Sequence, residues 1–431
     1  MHLTYRRTCR LCGSKSLTPV IDLGEQYLQG SFVKPGKEQP PERKIECKLV
    51  RCDPTVDENA CGLVQMAHTV PPEILYSAYW YRSGTNSTMR NHLMDLVDDA
   101  FAMNKSVSSV LDIGCNDGTL LSNYGDGVLK TGIDPSDVAQ EIDLVNCEVY
   151  QDIFPAPHLD YKEEFDIITS IAMFYDLEDP ISFCKGIKKA LNKEGIWIFE
   201  QSYMPEMLKM NSYDTICHEH IEYYSLAVIE KCLYMAGLKV IRIEFNEING
   251  GSIRCYATHI ENNSYNKDEW REVIEETRIK EFDMKLDTDE PYRKFQDNIE
   301  KHRKELTRLI HAIRGSGKTI HIYGASTKGN VILQHCDIDN KLIPYAAERN
   351  PDKWGGRTLG TNIEMISEEE SRKMKPDFYL VLPWHFKSEF LVREKEIIEA
   401  GTLFIFPLPN VVVLPEHKDP MMEWVKEFFK F

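Results

Sequence analysis

Four cysteines near the start of the chain, an acidic glycine-rich loop further on, and two histidines flanking a glutamate are the residues best suited to chemistry. Cys9-Arg10-Leu11-Cys12-Gly13 is a CxxC turn, the spacing that lets two thiolates reach one ion. Cys52 and Cys61-Gly62 offer a second pair, with Cys47 competing for one place. Four thiolates around Zn²⁺ make a closed, structural site that stabilises a segment too small to have an apolar core. The competing reading is a set of unlinked reduced thiols, which is how the remaining cysteines read, such as Cys184 and Cys232 inside apolar runs.

Val110-Leu111-Asp112-Ile113-Gly114-Cys115-Asn116-Asp117-Gly118-Thr119 reads as a buried strand, a glycine loop and a helix start. Gly114 and Gly118 permit close backbone approach to a ligand, and Asp112, Asn116 and Asp117 lie at the loop. Asp134 ends the next strand, placed for two ribose hydroxyls, and Asp152 fits beside an adenine amine. Ser170, at the end of a later strand, completes the expected cofactor contacts. The loop is not GxGxxG, so the third glycine and the pyrophosphate contacts of dinucleotide enzymes are missing. S-adenosylmethionine (SAM) carries no phosphate, and carboxylates and carbonyls suit its sulfonium and amino groups. SAM is therefore the expected cofactor, against the plainer reading of a Rossmann turn.

The run from Tyr213 to Tyr224 crowds titratable and aromatic groups around Cys217-His218-Glu219-His220. It is not HExxH, which excludes a zincin site. In extended backbone His218 and His220 share one face and Glu219 the other. A neutral imidazole can take a proton near pH 7, and a neighbouring carboxylate raises its basicity. A lone histidine would more often be structural. Two, with carboxylate and tyrosines beside them, point to catalysis. Gly315-Ser316-Gly317-Lys318-Thr319 ends like a Walker A loop, but position 312 is Ala and the segment precedes its strand, which rejects ATP. Gly324-Ala325-Ser326-Thr327-Lys328-Gly329-Asn330 does follow a strand and open a helix. Its N–H groups with Ser326, Thr327, Lys328 and Asn330 can hold a phosphate, or can simply cap the helix.

The elements that must position these groups follow an α/β rhythm. Residues 1–70 are dense in Cys, Gly and Pro, and residues 76–104 look helical. Near-continuous apolar runs at 108–113, 129–133, 165–170 and 196–200 alternate with helices, as in a parallel sheet covered on both faces. A helix at 225–236 is closed by Gly237, with strands at 239–245 and 252–259. Residues 263–290 are charged and lack clear periodicity. Pro291 opens an amphipathic helix, and a second strand–glycine–helix unit starts at Thr319, with strands at 342–346, 378–382 and 402–406. The expected fold is α/β in three parts: a zinc-binding module over 1–75, a SAM methyltransferase domain of Rossmann-like class I type over 76–250, and a second Rossmann-like α/β domain over 251–431. A chain of 431 residues has room for them. Its net charge of −17 argues against nucleic acid. No apolar run of about 18 residues predicts a membrane span, and no secretory signal stands at the N-terminus, so a cytoplasmic location is expected.

The order of these motifs, with Cys61-Gly62-Leu63-Val64-Gln65, Tyr213-Asp214-Thr215-Ile216-Cys217-His218-Glu219-His220 and Asn249-Gly250-Gly251-Ser252 between them, carries a resemblance across nearly the whole chain. It is similar to the sugar C-methyltransferase family, whose members methylate nucleotide-linked 4-keto-6-deoxyhexoses at C3. The resemblance implies that the C-terminal domain helps to hold the nucleotide sugar. It implies that His220 is the general base, with Glu219 or His218 orienting it and Asn249 or a tyrosine stabilising the enolate oxygen. Tyr76, Tyr79 and Tyr81 would line the sugar site, with Tyr175, Cys217 and Tyr224 near the substrate. Two departures stand out: Cys217 where the family often has Tyr, and Tyr175 where some members have His. A monomer is expected. The alternative is an O- or N-methyltransferase acting on another metabolite through the same SAM core.

Overall fold

A computed structural model of the chain describes residues 3–39, 43–75 and 82–415. The backbone gathers into two compact units. The first comprises Met1–Thr18, Val50–Pro205 and Glu219–Thr288; the second comprises Pro19–Leu49, Glu206–His218 and Asp289–Phe431.

The first unit is built on a seven-stranded sheet. Its strands lie in the order Leu238–Asn246, Ser252–His259, Leu191–Ser202, Phe165–Ile171, Ser109–Ile113, Leu129–Ile133, Cys147–Tyr150. The last five strands run parallel, and Ser252–His259 pairs antiparallel with both of its neighbours. These strands form because their β-branched and aromatic residues are buried on both faces, as the parallel arrangement requires. Leu93, Leu96, Val97 and Ala100, at helical spacing on Ser87–Met103, close one face against Val110, Ile167, Ile196 and Ile198. Helices Pro180–Ala190 and Leu226–Ala236 close the other, packing Phe183, Ile187, Ile229 and Leu233 with Leu111, Ile168, Trp197 and Phe199. Each such side chain, fully buried, contributes about 1.5–3 kcal/mol. Strand order reverses between Ser109–Ile113 and Phe165–Ile171, which opens a crevice at the carboxyl ends of the strands. This is the class I SAM methyltransferase fold expected above.

Three features depart from the sequence expectations. Ser252–His259 inserts between Leu238–Asn246 and Leu191–Ser202, so this unit runs past residue 250 to Thr288. Residues 19–49 of the expected N-terminal module belong to the second unit, where Phe32–Val33 pairs with Arg357–Thr358. The stretch 263–290 contains a regular helix, Asp268–Asp283. Its buried positions are Ile274, Thr277 and Glu281, so two of the three carry polar groups and no apolar stripe shows. Glu281 accepts hydrogen bonds from Tyr203 Oη (2.6 Å), Leu226 N (2.5 Å) and Ala227 N (3.0 Å). It thereby satisfies N–H groups in the first turn of Leu226–Ala236, which Ser225 also caps.

The second unit holds an eight-stranded sheet. Its parallel core runs Leu403–Phe406, Phe378–Val381, Ile320–Tyr323, Tyr345–Glu348, Glu364–Ser367. Order reverses here too, between Ile320–Tyr323 and Phe378–Val381. Helix Glu290–Gly315 buries Tyr292, Phe295, Ile299, Leu306, Leu309, Ile310 and Ile313 along one stripe, as the sequence predicts. No helix among the described residues is long and apolar enough to cross a membrane.

Glu281→Ala leaves three donors unsatisfied, two of them backbone N–H groups at a helix start. It is expected to lower unfolding free energy by about 2–4 kcal/mol in denaturant titration, with Glu281→Gln recovering part of the loss.

Candidate active site and metal centre

The sulfur atoms of Cys9, Cys12, Cys52 and Cys61 all lie within 4.8 Å of one another. Cys9 and Cys61 are 3.5 Å apart, and Cys12 and Cys52 are 3.4 Å apart. A tetrahedron with Zn–S bonds of about 2.3 Å has edges of about 3.8 Å, so this set fits zinc in a closed, structural site. The long gap between Cys52 and Cys61 is folded back by Asp53, which accepts from Thr55 N (2.9 Å), and by Asp57, which accepts from Ser14 Oγ (2.7 Å). Cys47 is excluded. It sits in the second unit and donates to the Ile216 carbonyl at 3.2 Å.

The glycine loop lies at the switch point of the first sheet. Gly114 (φ +77°) and Gly118 (φ +74°) take left-handed backbone conformations. A Cβ at Gly114 would come within 3.2 Å of Met173, and one at Gly118 within 3.0 Å of Ile142. Gly114 N–H donates to Ile133 O at 2.7 Å, which brings the end of the next strand beside the loop. There Asp134 accepts from Asn116 N (2.9 Å), Ser136 N (2.8 Å) and Ser136 Oγ (2.5 Å). Two carboxylate oxygens offer about four acceptor positions, so one remains for a ribose hydroxyl. Asp112 is buried and accepts from Thr169 Oγ1 at 2.6 Å; burial, and then the charge of Asp134, push its carboxyl up to about 7. The loop thus fits SAM: glycines where the chain must approach, and carboxylates suited to its sulfonium and ammonium groups.

Other expected cofactor residues have structural partners. Asp117 accepts from Gly84 N (2.8 Å) and Thr119 Oγ1 (2.6 Å), and Asn116 Oδ1 accepts from Ser83 N (3.0 Å). Their side chains fasten the segment before helix Ser87–Met103 over the loop. Ser170 accepts from the Trp197 indole at 2.9 Å within the aromatic core. Asp152 is half-buried, and its carboxylate accepts from Ile153 N at 2.7 Å.

The CHEH run straddles the two units. In the second, His218 Nδ1 donates to Gln29 Oε1 at 2.6 Å, and Gln29 in turn donates to Gln26 Oε1 at 2.8 Å. Cys217 is buried in the same unit; burial lowers the pKa of the Lys328 ammonium there, and the nearby Asp214 carboxyl opposes that shift. Asp214 accepts from the Trp384 indole at 2.8 Å. In the first unit, Glu219 and His220 are only partly buried. The His220 ring lies 4.3 Å from the Tyr175 ring, centroid to centroid. Ile221 N donates to Tyr175 O (3.0 Å), and Ile221 O accepts from Met66 N (2.9 Å). Tyr224 is fully buried, stacked on Phe174 with its hydroxyl on Glu222 Oε2 at 2.7 Å, so it belongs to the core. Asn249 takes a left-handed conformation (φ +57°) in the turn Ile248–Gly250. Tyr76, Tyr79 and Tyr81 lie outside the described residues. At the second glycine turn, Ser326 caps its helix by accepting from Gly329 N at 3.0 Å, and Thr327 opens that helix. Asn330 is buried and donates to Gln29 O at 3.2 Å, a packing role.

Three family profiles match the chain in order: a zinc binding domain over residues 9–76, a methyltransferase domain over 85–243, and a C-methyltransferase C-terminal domain over 247–409. The chain is 27% identical to the C-methyltransferase NovU of Streptomyces niveus, across 94% of this chain and 96% of that protein. The chain is a SAM-dependent methyltransferase that resembles the C-methyltransferases over nearly its whole length. A shorter match, 35% identical over 103 residues, covers 22% of this chain and 35% of the tRNA U34 carboxymethyltransferase of Sulfurimonas denitrificans. Among solved structures, a SAM-dependent methyltransferase from Clostridium acetobutylicum is 13% identical, with a TM-score of 0.32, over 39% of this chain and 92% of that one.

This methyltransferase also holds a polar cluster that motif reading missed. Glu200, level with Ile171 at the sheet's carboxyl end, accepts from His92 Nε2 (2.6 Å), Arg254 Nε (2.8 Å) and Asn246 Nδ2 (2.9 Å). Burial alone would raise its carboxyl, but the hydrogen bond and charge of His92 and the charge of Arg254 hold it below the usual range. Its members come from one helix and three strands, far apart in sequence. The one signal was a charged Glu200 closing an apolar strand run.

Two outcomes follow. The protein should carry one zinc ion per chain by elemental analysis, lost in Cys52→Ala together with the fold of the N-terminal module. Gly118→Val forces a β-branched residue into a left-handed conformation against Ile142. It should weaken S-adenosylhomocysteine (SAH) binding by about tenfold or more in calorimetry and cost about 1–3 kcal/mol of stability.

Proposed function

We propose that the protein methylates C3 of a nucleotide-linked 4-keto-6-deoxyhexose, with His220 removing the C3 proton. The observation that carries this reading is the loop after strand Phe165–Ile171. Met173 stands against Gly114 of the cofactor loop, and two residues on Tyr175 stands against His220. One short loop therefore separates the group that holds the methyl donor from an imidazole.

SAM, when bound, supplies an electrophilic methyl group. The protein's task is to make a carbon nucleophilic beside it. A C–H next to a ketone is acidic because the carbanion delocalises onto oxygen, and a neutral imidazole near pH 7 is suited to take that proton. Glu219 is the neighbouring carboxylate that orients or polarises His220. Asn249, or a tyrosine of the 76–81 segment, is assigned to the developing enolate oxygen, where a fixed donor acts most strongly. Positioning supplies much of the remaining barrier reduction. The similarity to NovU, a C-methyltransferase by name, supports carbon as the acceptor over oxygen or nitrogen.

His220→Asn keeps the shape and a hydrogen-bonding edge but removes the base. Turnover of a nucleotide-linked 4-keto-6-deoxyhexose should fall by about 10²–10⁴-fold, while SAH affinity stays within about twofold. Carbon-13 NMR of product made with labelled SAM should show a carbon-bonded methyl. Near-normal turnover in the variant, or an O- or N-linked methyl, would overturn the proposal.

A further inference from the structure

The segment that carries His220 has little regular structure of its own. Its only strand, Glu222–Tyr223, is two residues long and pairs with Val64–Met66: Glu222 opposite Gln65, Tyr223 opposite Val64. The other side of His220 is bounded by the loop that carries Met173 and Tyr175. Both tracks lead back to one side chain. Arg10 lies between zinc ligands Cys9 and Cys12, and its side chain is fully buried. Nη1 donates to Met66 O (2.8 Å) and Gln65 Oε1 (3.2 Å); Nη2 donates to His68 O (3.1 Å) and Thr69 Oγ1 (2.7 Å). Nε donates to Glu178 Oε2 at 3.2 Å, and the Arg10 backbone N–H adds a bond to Gln65 Oε1 at 3.1 Å. Glu178 closes the Tyr175 loop and is held as well by Thr69 Oγ1 (2.6 Å) and by Arg6.

We propose that Arg10 is a positioning residue for the methyl-transfer site, fixing the backbone on both sides of His220 from the metal-ordered Cys9–Cys12 turn. A guanidinium can do this because it presents five donors in a rigid fork, of which this one uses all three nitrogens. A lysine at the same place offers one compact cation and cannot span strand and loop together. The zinc site then does more than stabilise its own module. It sets where an imidazole sits about 210 residues later in the chain. The inference builds on the reading of His220 as base, but the primary readout below needs no methyl acceptor.

The test uses full-length, zinc-loaded protein with ¹³C-labelled histidine and SAH bound. The His220 ring signal is assigned by its loss in His220→Asn. Arg10→Met and Arg10→Lys are compared with the parent for zinc content, SAH affinity and the His220 signal. The expected result is retained zinc and SAH affinity within about threefold, with the His220 signal shifted or broadened in both variants, more so in Arg10→Met. Zinc removal by chelation from the parent should perturb the same signal in the same direction. With acceptor, kcat should fall by about tenfold or more while KM for SAM changes little. If Arg10→Met does not fold, Arg10→Lys decides. A His220 signal unchanged in position and width, with zinc retained, overturns the proposal. So does loss of zinc from both variants, which would make Arg10 a metal-folding residue only. A perturbed His220 signal with no activity on any keto-sugar would leave this inference standing and overturn the substrate reading.

Discussion

Ile221 donates its N–H to the Tyr175 carbonyl and accepts at its own carbonyl from Met66 N–H. Those two backbone bonds join three pieces of chain that have no neighbourhood in sequence: the strand after the zinc ligands, the loop after the fourth parallel strand, and the segment carrying His220. A two-residue strand cannot hold itself, because pairing so short recovers little of the entropy of ordering it. Its placement is borrowed from the metal-stapled turn on one side and the sheet on the other. The crevice at the carboxyl ends of the strands would exist without this junction. The imidazole would not be beside it.

Both Rossmann-like sheets use the same device at their switch points. Gly114 N–H bonds Ile133 O, and Gly324 N–H bonds Ala347 O at 2.8 Å; the next residue in each receiving strand is an acid. Asp134 accepts from Asn116 N, and Glu348 from Ala325 N at 3.0 Å. In each case a carboxylate satisfies the turn's own N–H groups while a left-handed glycine lets the backbone through. The first turn keeps acceptor capacity for a ribose. In the second, Lys353 also closes on the Ala325 carbonyl at 2.8 Å, so that turn is more tightly self-satisfied.

What could be read from residue order was what depends on local backbone and side-chain type. The CxxC turn, both glycine loops, the apolar parallel strands, the Ser225 cap with Gly237, and the helix from Pro291 all carry their cause within a few residues. The choice of Cys52 over Cys47 needed coordinates, since spacing allowed both. Helix Asp268–Asp283 escaped because its inward face carries Thr277 and Glu281, and Glu281 reads as a surface residue until its partners Tyr203, Leu226 and Ala227 are seen. The insertion of Ser252–His259 into the first sheet, and the passage of residues 19–49 into the second unit, are pairings over long sequence separation that no local pattern encodes. The HEH run shows the same limit within three residues. Motif reading treated His218 and His220 as a pair, yet His218 is held by Gln29 in one unit and His220 abuts Tyr175 in the other.

The proposed chemistry turns on His220 removing a carbon-bound proton. The most direct measurement is solvent deuterium incorporation at C3 of a nucleotide-linked 4-keto-6-deoxyhexose, followed by NMR with SAH in place of SAM so that methylation cannot occur. Exchange at C3 is expected with the unaltered protein and none above background with His220→Asn. Exchange at the same rate in both, or none in either while the sugar is bound, would contradict it.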